Sequence, residues 1–218
     1  MRYKILALGD CNTSGDIKFE NNSFVERFAK LVNLEPKNCG YTMSTVKEML
    51  YFYDEYYHND LDVIFIQYGL VDSWKTFKYS PYVLYYPNNF FRKIARKVVK
   101  KYKKIARKLG LNELFGEKFV VSAQEYEKNI EQVVKSSKNK KIFLIDTIPN
   151  RQLFRNEYIE QYNNILSQIA DRYDNCYKVD VYKIFDNKFD DFYLDDTHLN
   201  DDGYDILTEK IYEVYKNC

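Results

Sequence analysis

Cys11 sits at a turn directly after an apolar run, in Gly9-Asp10-Cys11-Asn12. Near the other end of the chain His198 follows Asp195 by three residues, in Asp195-Asp196-Thr197-His198. A thiol attacks as its thiolate, and with an ordinary pKa of ~8.5 it needs a nearby base to reach that state at neutral pH. An imidazole oriented by a carboxylate is such a base. The chain has only two histidines, so a catalytic one is His58 or His198. His58, in Tyr57-His58-Asn59-Asp60, closes a helical pattern and reads as a surface residue. Cys11, His198 and Asp195 are therefore the candidate nucleophile, base and orienting carboxylate of an acyl-transfer site. A strand-to-helix turn also aims backbone N–H groups, that of Cys11 among them, at an incoming oxyanion.

Five short apolar runs must position these residues. The runs 3–8, 63–68 and 141–147 are clear, and weaker ones lie near 34–38 and 177–181. Continuous apolar runs indicate strands buried on both faces. Helical patterns fall between them at about 21–32, 44–57, 122–137, 156–173 and 203–216, and Ser122 with Glu125 resembles a capping box. This alternation predicts an α/β fold: a five-stranded parallel sheet between two helical layers, in one domain spanning 1–218. The active crevice of such a sheet lies beyond the carboxyl ends of its strands, where Cys11, Gly40 and Asp72 fall.

Residues at about 74–121 break the alternation and read as an insertion. Tyrosines 79, 82, 85 and 86 crowd around Pro81 and Pro87. In the following segment Phe91, Ile94, Val98, Tyr102, Ile105 and Leu109 recur at helical spacing, and ten Lys and Arg cover the remainder. The plain reading is a helix packed over the sheet edge with its basic face in solvent. The functional readings are docking on an anionic membrane surface, or binding of a phosphorylated or acidic-sugar ligand or an acidic partner, at 90–109. Lys+Arg number 33 against 32 Asp+Glu, so bulk charge does not call for nucleic acid, and no nucleic-acid motif accompanies the helix. No run approaches a membrane span, and the N-terminal apolar run is too short for a signal peptide. Cysteines 11, 39, 176 and 218 show no metal-ligand spacing, which implies free thiols in a reducing cytoplasm, with the basic helix as a route to the membrane surface. No metal or organic cofactor is implied.

The chain resembles the SGNH/GDSL hydrolases outside the insertion. Residues 5–13 look like the block GDSxT with Cys11 for the serine, and Asn38-Cys39-Gly40 looks like the second block. Gly69-Leu70-Val71-Asp72 looks like GxND with Val71 for the asparagine, and the stretch 195–203 matches DxxHxNxxG. The resemblance implies a flavodoxin-like three-layer fold and ester chemistry, with Cys11 and Gly40 supplying oxyanion N–H groups. It implies an O-acyl, acetyl-like ester on a carbohydrate or surface glycan as substrate. Asp10 and Asp72 brace their loops, and Asn12, Trp74 and Asp72 are placed at the substrate. Val71 removes one oxyanion donor, a loss worth ~10²–10³ in rate, with Asn12 or Gln67 as candidate replacements. Asp146 and Arg151 are further candidates for substrate contact. A thioester at Cys11 serves hydrolysis or transfer alike. Two other readings stay open: a catalytically impaired binding module that uses the basic insertion, and a lipase or thioesterase with that insertion as its lid.

Overall fold

The computed structural model describes residues 3–218, apart from the side chains of 16 and 17. Its strands are β1 (Ile5–Gly9), β2 (Pro36–Gly40), β3 (Val63–Gln67), β4 (Lys75–Phe77), β5 (Glu117–Phe119), β6 (Lys141–Ile145) and β7 (Cys176–Val179). The helices are α1 (Cys11–Ser14), α2 (Asp16–Phe19), α3 (Phe24–Val32), α4 (Val46–Tyr56), α5 (Phe90–Lys108), α6 (Leu111–Phe115), α7 (Ala123–Ser136), α8 (Asn156–Arg172), α9 (Tyr182–Phe185), α10 (Phe189–Phe192) and α11 (Asp201–Lys216).

Five strands form one parallel sheet in the order β2-β1-β3-β6-β7. Side chains alternate between its two faces, so each strand feeds two cores. Leu6, Leu8, Ile64, Ile66, Ile142 and Leu144 pack with Met49 and Phe52 of α4, Ile130 of α7 and Leu166 of α8. Ile5, Ala7, Val63, Phe65, Phe143 and Ile145 pack on the other face with Phe24 and Phe28 of α3 and Leu207 and Ile211 of α11. This double burial is why these strands read as unbroken apolar runs. β2, at the sheet edge, buries only Cys39 and lies about two residues further along than its weak apolar signal predicts. The chain leaves β1 toward β2 on one side and returns as β3 on the other. The carboxyl end of β1 is thus the switch point where an α/β sheet opens a crevice.

β4 and β5 pair antiparallel and form the stem of the insertion, with Lys75 opposite Phe119 and Phe77 opposite Glu117. Glu48, buried at the start of α4, ties the insertion to the sheet. Its carboxylate accepts from the Thr45 amide (2.9 Å), the Tyr82 hydroxyl (2.9 Å) and the Tyr85 amide (2.6 Å).

Here the structure corrects an expectation. The apolar stripe of α5 does not pack on the sheet: Phe91 is 80%, Val98 62% and Leu109 64% exposed, and within α5 only Ala106 is buried. The opposite, cationic side of the helix faces a cavity over the carboxyl end of the sheet. His58 is also corrected: it is buried, edge-on to Tyr3 at 4.6 Å between ring centroids.

Candidate active site

Asp10 follows β1 and caps α1, accepting the Asn12 amide at 3.0 Å. Cys11 is therefore the first residue of a one-turn helix, buried against Leu70, Ile159 and the partly buried Tyr182. Gly40 makes this turn possible. A Cβ there would lie 2.2 Å from the Ser14 backbone nitrogen, so only glycine lets α1 settle on β2.

The Asp195–His198 loop is tied by its own carboxylate. Asp195 Oδ1 accepts the Thr197 and His198 amides at 2.7 and 2.8 Å, and Oδ2 meets His198 Nδ1 at 2.7 Å. Burial alone would push Asp195 up, but the His198 ring and these two amides outweigh it and hold the carboxyl below its ordinary range. Asn12 joins this loop to the turn carrying Cys11. Its Nδ2 donates to Thr197 O (3.0 Å) and its Oδ1 accepts the Leu199 amide (3.2 Å), so the residues on either side of His198 are clamped to the neighbour of Cys11. Tyr204 adds a hydroxyl bond to Asn12 O at 2.9 Å. Asp10 reports the same closeness: burial raises it to about 6, against the Asn12 amide bond and the attraction of His198.

Several expected roles change. Asn12 is buried with both ends of its amide engaged in this clamp, so it is a positioning residue rather than a substrate contact. Gln67 accepts the Thr13 hydroxyl at 2.8 Å inside the turn. Asp72 is buried and accepts the Val46 and Gly69 amides at 3.0 and 3.1 Å, bracing two loops instead of meeting substrate. Burial raises it to about 8 against the Val46 bond, and the Glu48 carboxylate adds to the rise. The Gly40 N–H, expected in the oxyanion hole, donates to Asn38 Oδ1 at 2.8 Å. Asn38 Nδ2 is held in turn by Thr13 O and Glu26. Trp74 lines the cavity, with the Arg155 guanidinium 4.5 Å from its ring. Asp146 is spent on Lys178 and the Val181 and Tyr182 amides, and Arg151 on Asp190 and Phe189 O.

The loop after β6 carries residues that the sequence reading missed. Asn150 Nδ2 donates to Thr197 Oγ1 (3.0 Å), the Arg151 amide to Asp196 O (2.9 Å) and Gln152 Nε2 to Asp196 Oδ2 (3.0 Å). Tyr193 closes the cradle with a hydroxyl bond to Pro149 O at 2.8 Å. Met43 was also missed. It holds a left-handed backbone (φ 66°), unusual for a residue with a Cβ, and its N–H has no partner among the described residues. It lines the cavity together with Val71.

A nucleophile-type residue, a His–Asp pair bound to its turn, and a parallel sheet opening at β1 occur together. The GDSL-like Lipase/Acylhydrolase family model matches residues 7–206. The chain belongs to this family, and it is an ester hydrolase. A lipase/acylhydrolase from Enterococcus faecalis superposes with a TM-score of 0.66 at 18% identity, covering 100% of this chain and 96% of that one. An acetylxylan esterase from Geobacillus stearothermophilus superposes with a TM-score of 0.64 at 19% identity, covering 98% and 95%. A member of the lipolytic G-D-S-L family from Veillonella parvula gives 0.64 at 14% identity, covering 98% of both chains. These likenesses show the shared fold. Among curated proteins, no sequence matches. Among the described residues no His, Cys, Asp or Glu cluster fits a metal ion, and no helix is long and apolar enough to cross a membrane.

Proposed function

We propose that this member of the family works through a Cys11–His198–Asp195 triad on an O-acyl, acetyl-like ester carried by a carbohydrate. The observation that carries the reading is the Asn12 clamp: the side chain next to Cys11 grips residues 197 and 199, on either side of His198. With Nδ1 on Asp195, Nε2 is the ring nitrogen that takes the Cys11 proton. Sγ attacks the ester carbonyl, and the carbon–oxygen π pair moves onto oxygen. The tetrahedral intermediate collapses, the alkoxide leaves with the proton from His198, and a thioester remains on Cys11. His198 then deprotonates water or an acceptor hydroxyl, which attacks the thioester; the thiolate leaves and regains its proton. Water gives hydrolysis and an alcohol gives transfer.

The Cys11 N–H, at the start of α1, and the Met43 N–H are our choice of oxyanion donors. The first fits the helix start, and the second has no competing acceptor. The carbohydrate assignment is supported by the aromatic cavity wall of Trp74, Tyr82 and Tyr158 and by the acetylxylan esterase among the structural relatives. A lipase lid would turn its apolar face inward, whereas α5 turns cations inward, which argues against that alternative. The outward stripe of α5, flanked by Lys101, Lys104 and Lys108, suits an anionic bilayer surface, where such helices lie with the apolar face buried.

The test is Cys11 alkylation by iodoacetamide as a function of pH, in the native protein and in His198→Ala, read on the Cys11 peptide. A thiol reacting well below ~8.5, and losing that reactivity without His198, is the expected result. Ordinary thiol behaviour in both proteins contradicts the triad and favours a binding module.

A further inference from the structure

The cavity between α5 and the sheet holds about 950 Å³. Lys93, Arg96, Lys97, Lys100, Lys103 and Arg107 line one wall, and Glu117 is the sole carboxylate on any wall among the described residues. Arg96 is engaged by the insertion, through Leu84 O and Asn88. Among the described residues none of the ten α5 cations forms an ion pair, though the chain pairs many of its other Lys and Arg. Lys103 shows the resulting crowding: burial lowers it first, and Lys118 and Arg107 lower it further. Unneutralised like charges around a concave wall focus a field that attracts anions. From Lys93 to Arg107 the row runs about 21 Å along the helix, enough for several charges of a chain rather than for one.

The facing wall has a different chemistry. Trp74 and Tyr158 stand there, with the Arg155 guanidinium over the indole and the Lys75 ammonium 2.7 Å from the Tyr158 hydroxyl. The buried Trp74 Nε1 has no hydrogen-bond partner among the described residues. Aromatic rings flanked by the Arg155 and Lys75 cations suit the rings of an acidic sugar. The cavity also adjoins the nucleophile: Val71 and Tyr158 line it, and their neighbours Leu70 and Ile159 pack on Cys11.

We propose that this cavity is the binding site for a linear polyanionic glycan, whose acid groups lie along the Lys93–Arg107 row while its sugar rings meet Trp74 and Tyr158. The proposal rests on the ester-hydrolase reading only for what happens to the glycan. Its test measures binding and needs no turnover.

Calorimetric titration with three probes tests it: oligogalacturonate, glycosylated poly(ribitol phosphate) and neutral xylo-oligosaccharide. At least one anionic probe should bind about ten-fold or more tightly than the neutral one, with affinity falling as salt rises. The probe that binds identifies carboxylate or phosphate as the acid group. The Lys97→Ser/Lys100→Ser/Lys103→Ser variant should lose that preference, and the same three positions changed to Arg should restore it. The Arg protein controls for folding. Equal binding of neutral and anionic probes, or an unchanged preference in the Ser variant, overturns the proposal. If anionic binding persists while Cys11 alkylates as an ordinary thiol, the triad fails and the glycan site stands.

Discussion

Asn12 shows how much one side chain can decide. Thr197 O and the Leu199 amide are its two partners, 185 and 187 residues away. Asn12→Ala strips both of them inside the fold, and unpaired buried polar groups cost about 1–3 kcal/mol each. Chemical denaturation should show a loss on the order of 2–4 kcal/mol, with ester turnover falling further than stability explains. An unchanged turnover would remove Asn12 from the positioning role. Asp10 makes a pH-dependent contribution. Its folded pKa, about 6, lies above the ordinary 3.8, so the native state holds that proton more tightly than the unfolded chain does. The stability this confers is complete below the ordinary value and is lost as pH rises through about 6. Asp10→Asn keeps an acceptor for the Asn12 amide, so its stability should be flatter over that window and exceed the native protein's at neutral pH; melting temperatures across the window check it. Asp195 runs the other way. Its lowered carboxyl contributes above the ordinary carboxylate range and loses that contribution as pH falls through the folded value.

The elements were legible where burial leaves a pattern and illegible where it does not. β1, β3 and β6 stand out because both of their faces are covered. β2 buries one residue of five, so its position could not be read from apolarity. Its last residue is nevertheless a tight backbone seam. Gly40→Ala would drive a methyl into the Ser14 backbone at 2.2 Å, contact that no side-chain rotation relieves. The expected outcome is a loss of several kcal/mol, of the order of ~3, seen in melting, together with a more exposed and alkylatable Cys11. The loop between β3 and β4 depends on Asp72, whose two oxygens serve two amides. Asp72→Asn leaves one amide unserved and should cost about 1–3 kcal/mol at acidic pH, below the ordinary carboxylate value. The deficit should shrink as pH rises toward 8, because the native carboxyl loses its own stabilising proton there. Gly40 was expected in the oxyanion hole on the strength of a three-residue match. The Asn38 side chain two positions earlier takes its N–H, a local bond that the match could not reveal.

At the scale of the whole molecule, the segment that breaks the strand–helix alternation was legible, but the orientation of α5 within it was not. Periodicity reveals an apolar stripe without saying which way it points. Glu48, Tyr82 and Tyr85 hold the insertion with its cations over the crevice and its stripe in solvent. Vesicle co-sedimentation should therefore retain the protein on phosphatidylglycerol-rich membranes more than on neutral ones. Ile94→Ser/Val98→Ser should release it, because both side chains lie outward. Equal partition of the variant would detach the stripe from any membrane role. In the proposed mechanism Cys11 carries the acyl group with His198 as its base. Its most direct test is rapid mixing with 4-nitrophenyl acetate at neutral pH, followed by acid quench and peptide mass spectrometry. The expected result is an acetyl group on the Cys11 peptide, removable by hydroxylamine as a thioester is and absent from His198→Ala. Release of nitrophenol with Cys11 unmodified throughout, or an acetyl group resident on another side chain, would contradict it.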